Sequence, residues 1–151
     1  MSGPYFANLL HTVGAGPGKL KLTKPLAFMD SRGRTWTVEE DFVTSLASYP
    51  KILPGLFRLF MPGRLENAKA AVLHDWAYAN AGERVWYGAR GVATVSLPIL
   101  MTKDLADQLF REGMQAELPE GKKWKRWVPW LGVVVGGFLA WTGHYNRNAK
   151  E

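Results

Sequence analysis

A polar pentapeptide, His74-Asp75-Trp76-Ala77-Tyr78, sits inside an otherwise apolar stretch running from Ala68 to Ala81. No other feature of the chain constrains its fold as strongly. The stretch predicts a helix, with Asn67 as its N-cap and Gly82 at its end. On that helix His74 and Tyr78 are one turn apart and share a face, with Asp75 beside them toward Ala71. Apolar residues occupy most of the circumference, so the helix is expected to be central and buried. A polar group buried without a partner costs about 1–3 kcal/mol. Either the fold is organised around this cluster, or the cluster does chemistry.

The rest of the chain supplies what such a helix can pack against. At 151 residues with 47% hydrophobic content, there is enough apolar material for one domain with a true core. Seven Trp, seven Phe and five Tyr make that core rich in rings. The absence of Cys removes disulfides, thiolate metal sites and Cys nucleophiles. Met1 to Leu10 lacks a basic segment followed by a long apolar one, so no secretory signal is read there.

The expected fold class is α+β: a small N-terminal antiparallel β-hairpin or sheet packed on about three helices, the His74 helix central. Residues 1–18, with Gly3, Pro4, Gly14, Gly16, Pro17 and Gly18, read as a flexible N-terminal arm. A single domain is expected over residues 19–145, followed by a polar tail at 146–151. Lys19 to Thr23 alternates basic and apolar residues as a half-buried strand does, and Leu26 to Met29 continues it. Asp30 to Arg34 is a turn, and Thr35 to Val38 has strand character. Residues 41–63 read as a packed, Pro-interrupted connection with one or two helical turns. Between Glu83 and Leu97 the pattern suggests a short strand and a loop. Thr102 is a good N-cap for a helix reaching Met114, its apolar face made by Leu105, Ala106, Leu109, Phe110 and Gly113, with Asp107 at the edge.

The last segment, Trp127 to Tyr145, leaves two readings open. No charge lies between Trp127 and Gly143, Lys and Arg precede the run, and Gly132 and Gly136 have Gly-x-x-x-Gly spacing. These features fit a membrane-spanning helix. A buried C-terminal helix fits the same pattern, since the run is at the short end of the roughly 17–25 residues a span needs. The net charge is +6 and is partly clustered at Lys122, Lys123, Lys125 and Arg126. That cluster reads as a solvated flank rather than a nucleic-acid surface.

Three constellations are candidates for chemistry. His74, Asp75 and Asp107 offer imidazole and carboxylate ligands for a divalent metal such as zinc, which would activate water for hydrolysis. Only His11, His74 and His144 are present, and no two-His motif occurs, so the alternative is a core histidine satisfied by hydrogen bonding. Thr44, Ser45 and Ser48 lack a Gly-x-Ser-x-Gly elbow and read as turn or capping residues. Glycines 14, 16 and 18 lack the strand and helix a phosphate loop requires.

In order and spacing these motifs resemble a family of phages and prophages, domain-of-unknown-function family 1353. Val38, Phe42, Thr44, Ser48 and Pro50 match its Val-Pro-x-Gly-Phe-x-Thr-Asp-x-x-Ser-x-Pro segment. His74, Asp75 and Tyr78 match His-Asp-x-x-Tyr, and Ala106, Asp107 and Phe110 match Ala-Asp-x-x-Phe. Gly137 and Trp141 match a C-terminal apolar segment. The chain departs from the pattern at Glu39-Glu40-Asp41, where the family has Pro-x-Gly, and at Ser45, where it has Asp. Ser45 cannot supply a fixed negative charge.

The resemblance implies a non-catalytic phage accessory or virion component, at the tail or head–tail region, acting through phage proteins or a host factor. No cofactor is expected on that reading, and the structural polar cluster is Thr44, Ser45, Ser48, His74, Asp75, Tyr78 and Asp107. A small metal-dependent hydrolase, cell-wall directed and using His74, Asp75 and Asp107, is the first alternative. A membrane-associated protein anchored by residues 127–145 is the second. The expected location is the virion or host cytoplasm, with membrane association as part of the second alternative.

Overall fold

The computed structural model describes residues 3–45, 67–89, 96–118, 137 and 141–147. Among these residues, two antiparallel sheets and three helices make an α+β fold. The strands are Tyr5–Phe6 (β1), Thr12–Gly14 (β2), Leu20–Leu22 (β3), Leu26–Met29 (β4), Arg34–Val38 (β5), Val43–Thr44 (β6), Arg84–Ala89 (β7) and Ser96–Leu100 (β8). The helices are Ala68–Ala79 (α1), which carries the buried His74, Lys103–Glu117 (α2), and residues 141–147 (α3).

The larger sheet has the order β1-β4-β5-β7-β8 and the smaller one β2-β3-β6. The hairpin β4–β5 follows from its sequence. Leu26 and Phe28 alternate with half-exposed residues, and Trp36 and Val38 do so across the turn, in the register Leu26↔Val38 to Met29↔Thr35. Gly33 takes a φ of 76° in the turn, a conformation open to glycine at little cost. The inward side chains of this hairpin meet Val72, Leu73, Trp76 and Ala77 of α1 in one core.

The stretch 1–18 contributes two strands, β1 on β4 and β2 on β3. Asn8 links them to the sheet: its amide donates to the Pro25 carbonyl at 2.7 Å, and its oxygen accepts from the Ala27 N–H at 2.9 Å. The sheet is also larger than a hairpin, because β7 and β8 join it after α1. Val85, Trp86 and Tyr87 lie in β7, whereas residues 92–95 lie outside the described residues.

Helix α1 stops at Ala79, earlier than its sequence suggests. Asn80 leaves helical geometry, and Gly82, at φ 77°, starts a glycine β-bulge. Its N–H donates to the Met101 carbonyl at 2.9 Å, while the Met101 N–H donates to the Glu83 carbonyl at 2.8 Å. At the other end Asn67 makes no side-chain cap. The first N–H groups of α1 instead reach α2, where Glu117 accepts from Lys69 at 3.1 Å and Ala70 at 2.9 Å. Thr102 caps α2 as its sequence predicts, accepting from the Leu105 N–H at 3.3 Å. The two helices cross at Ala70 and Gly113, where a Cβ on the glycine would meet the Ala70 Cβ at 3.1 Å.

The membrane expectation is corrected. Among the described residues no helix is long and apolar enough to cross a membrane. Within Trp127–Tyr145 the described residues are Gly137 and 141–145, and their rings are engaged with the domain. Trp141 stands edge-on to Tyr78 with centroids 5.2 Å apart, and Tyr145 packs on Gly82. Trp141 and Tyr145 thus serve as packing groups, and Thr142, His144, Asn146 and Arg147 make the same helix polar. Membrane association is removed from the expected location on the same ground.

Candidate functional site

Three of the sequence-predicted residues, His74, Tyr78 and Asp107, meet at the α1–α2 contact. Tyr78 projects from the last full turn of α1, and its hydroxyl donates to Asp107 Oδ1 at 3.1 Å. Lys103 lies one turn before Asp107 on α2, and its ammonium donates to Oδ2 at 2.6 Å. Both carboxylate oxygens of Asp107 are therefore engaged, in a place where only 7% of the residue is exposed. Burial, and then the neighbouring carboxylate, push the Tyr78 phenol well above its ordinary range. It stays protonated and remains a donor.

His74 occupies the turn below. Its ring lies 4.2 Å from the Tyr78 ring and 4.8 Å from Phe110, centroid to centroid. Among the described residues neither ring nitrogen has a hydrogen-bond partner, and Nδ1 is 4.0 Å from Asp75 Oδ1. Burial, helped by the Lys103 charge, lowers its pKa from 6.5 to about 3. The imidazole is thus neutral and packed as an aromatic ring. Asp75 points elsewhere: its Oδ2 accepts from the Thr44 hydroxyl at 2.6 Å, which ties β6 to α1. Thr44 is buried and Ser45 exposed, while Ser48 and Pro50 lie outside the described residues.

The predicted set is thus divided. Tyr78 joins His74 to Asp107, and Asp75 joins Thr44. Among the described residues no group of three or more His, Asp or Glu side chains is placed to hold a metal ion. The ammonium of Lys103 already supplies the positive charge beside Asp107.

Three carboxylates of comparable weight escaped sequence reasoning. Asp30 accepts from the Arg32 and Arg34 N–H groups, from Arg34 Nε at 2.6 Å, and from the Trp36 indole at 3.0 Å. Glu112 accepts from the Ser31 N–H, the Ser31 hydroxyl and Gln108. Glu117 holds the start of α1, and burial raises its pKa against the opposing pull of those backbone bonds. Each lies in a turn or on an amphipathic helix, where a solvated carboxylate gives the same sequence signal.

Together these features define a small α+β domain whose buried polar groups tie helix to helix and helix to sheet. The chain belongs to the phage and prophage family described as protein of unknown function (DUF1353), whose profile matches residues 20–133. The matched region takes in Thr44, the His74 helix and Asp107. Comparison with the curated proteins and with the solved structures gave no match.

Proposed function

We propose that this chain is a non-catalytic accessory or virion component of a phage, working at the tail or head–tail region through protein–protein contacts. The observation that carries this reading is the engagement of Asp107. Its two oxygens are occupied by Tyr78 and Lys103, so the family's Ala-Asp-x-x-Phe motif here holds helices together. The neutral, ring-packed His74 and the Ser45 found where the family has Asp support the same conclusion. A contact surface is available on the smaller sheet. Val13, Lys21 and Val43 are cross-strand neighbours, and the two valines are 48% and 46% exposed. Lys21 is paired with Asp41 at 2.8 Å, which leaves the two exposed valines as the apolar part of a face a protein partner can cover.

The test is mass spectrometry of purified particles from the phage or induced prophage that encodes the chain. The expected result is a fixed copy number per particle, lost in a Val13→Asp/Val43→Asp double variant that still folds. A chain absent from particles and bound to no phage or host protein overturns the reading.

A further inference from the structure

Between β5, β7 and the end of α1 lies a groove that the polar cluster does not use. The β5–β7 ladder covers only Arg34↔Ala89 and Thr35↔Gly88. Beyond those pairs the strands part, and Trp76 and Asn80 of α1 line the gap. The resulting groove measures about 430 Å³, within the roughly 300–1,000 Å³ typical of small-molecule sites.

Its lining combines an open aromatic plate with groups of both hydrogen-bonding senses. Trp86 is 62% exposed, the largest such figure among the aromatic side chains of the described residues. The Glu39 carboxylate is oriented by the Trp76 indole, which donates to Oε2 at 2.9 Å, and among the described residues Oε1 has no partner. Asn80 is oriented in the same way: its amide donates to the Trp76 carbonyl at 2.9 Å, leaving its oxygen as an acceptor. Arg84 lines the groove with no hydrogen bond or ion pair to its guanidinium among the described residues, and Thr37 and Ser96 add hydroxyls.

One carboxylate and one guanidinium cancel in charge, so neither an anion nor a cation is favoured. The groove asks for a neutral ligand that donates and accepts at closely spaced points and has an apolar face for the indole. A pyranose meets all three demands. Each hydroxyl both donates and accepts, vicinal hydroxyls match the paired atoms of a carboxylate or guanidinium, and the C–H face of the ring lies on an aromatic plane. We propose that this groove binds a neutral oligosaccharide, with Trp86 as the stacking platform and Glu39, Asn80 and Arg84 as the polar contacts. The site is independent of the virion assignment above.

The experiment is a titration of the ¹⁵N-labelled full chain with maltotetraose, cellotetraose and the N-acetylglucosamine tetramer, followed by NMR. The expected result is saturable shifts of the Trp86 indole and Arg84 amide signals by at least one sugar, with Kd at or below about 1 mM. Trp86→Ala, which removes an exposed side chain and keeps the fold, should weaken that binding by about tenfold or more. Arg84→Ala should weaken it too, whereas Val13→Ser on the other sheet should leave it unchanged. Silence with all three sugars, binding indifferent to Trp86→Ala, or shifts elicited only by a peptide or a sulfated sugar would overturn the proposal.

Discussion

The ring of Tyr145 lies directly on Gly82: a Cβ on that glycine would fall 2.5 Å from the tyrosine Cδ2 and 2.6 Å from Cε2. The same glycine has a φ of 77°. Two independent demands, backbone conformation and space, therefore fall on one position. Gly82→Ala should pay about 1–2 kcal/mol for the left-handed conformation and should also displace the Tyr145 ring. Thermal melting should show the loss. Combining it with Tyr145→Ala should restore the steric part alone, giving a double variant more stable than the two single losses would sum to. Strict additivity would mean that α3 does not rest on the bulge.

Acid should weaken the fold through His74. In the unfolded chain its imidazole takes a proton below about pH 6.5, whereas in the fold it stays neutral down to about pH 3. The unfolded chain binds more protons throughout that window, so stability falls as the pH drops through it. The slope is at most about 1.4 kcal/mol per pH unit for one such group. Glu117 acts in the opposite sense, because its raised pKa makes the folded chain the better proton acceptor. Comparison with His74→Phe, which preserves the ring packing on Tyr78 and Phe110, isolates the histidine. Urea midpoints across the window should fall more steeply in the parent chain than in the variant, and parallel profiles would contradict the burial of a neutral imidazole.

The Tyr78–Asp107 hydrogen bond should be measurable by a double-variant cycle. Asp107→Ala leaves a buried phenol and the Lys103 ammonium without their acceptor, at a cost of about 1–3 kcal/mol. Tyr78→Phe removes only the hydroxyl and should cost less. Denaturant unfolding of both single variants and the double should give a coupling of about 0.5–3 kcal/mol. A coupling near zero would show that the two groups do not hold α1 to α2.

Much of the architecture is legible from local pattern. The alternation in Lys19–Thr23, the Asp30–Arg34 turn and the Thr102 cap all reappear as β3, the β4–β5 hairpin and the start of α2. Each is decided within a few neighbouring residues. What escapes is decided by distant ones. β1 and β2 are only two and three residues long, and Asn8 fastens their strand through partners at Pro25 and Ala27. That His74, Asp75 and Tyr78 need partners is readable from their place inside an apolar helix, but the wiring is not. Nothing in the sequence says that Asp75 turns to Thr44 while Asp107 turns to Tyr78 and Lys103. The groove was invisible for the same reason, since it exists only where β5 and β7 part.

The bond from Glu117 to the opening turn of α1 sets an order of events. The central helix is closed by a carboxylate 47 and 48 residues further along the chain than the groups it caps. A ribosome must therefore translate past the end of α2 before the heart of the domain can be completed. Until then the nascent chain carries its central helix with these N–H groups unclosed by protein. A message truncated before residue 117 lacks the carboxylate that closes α1, so the product should lose protection at the Lys69 and Ala70 amides.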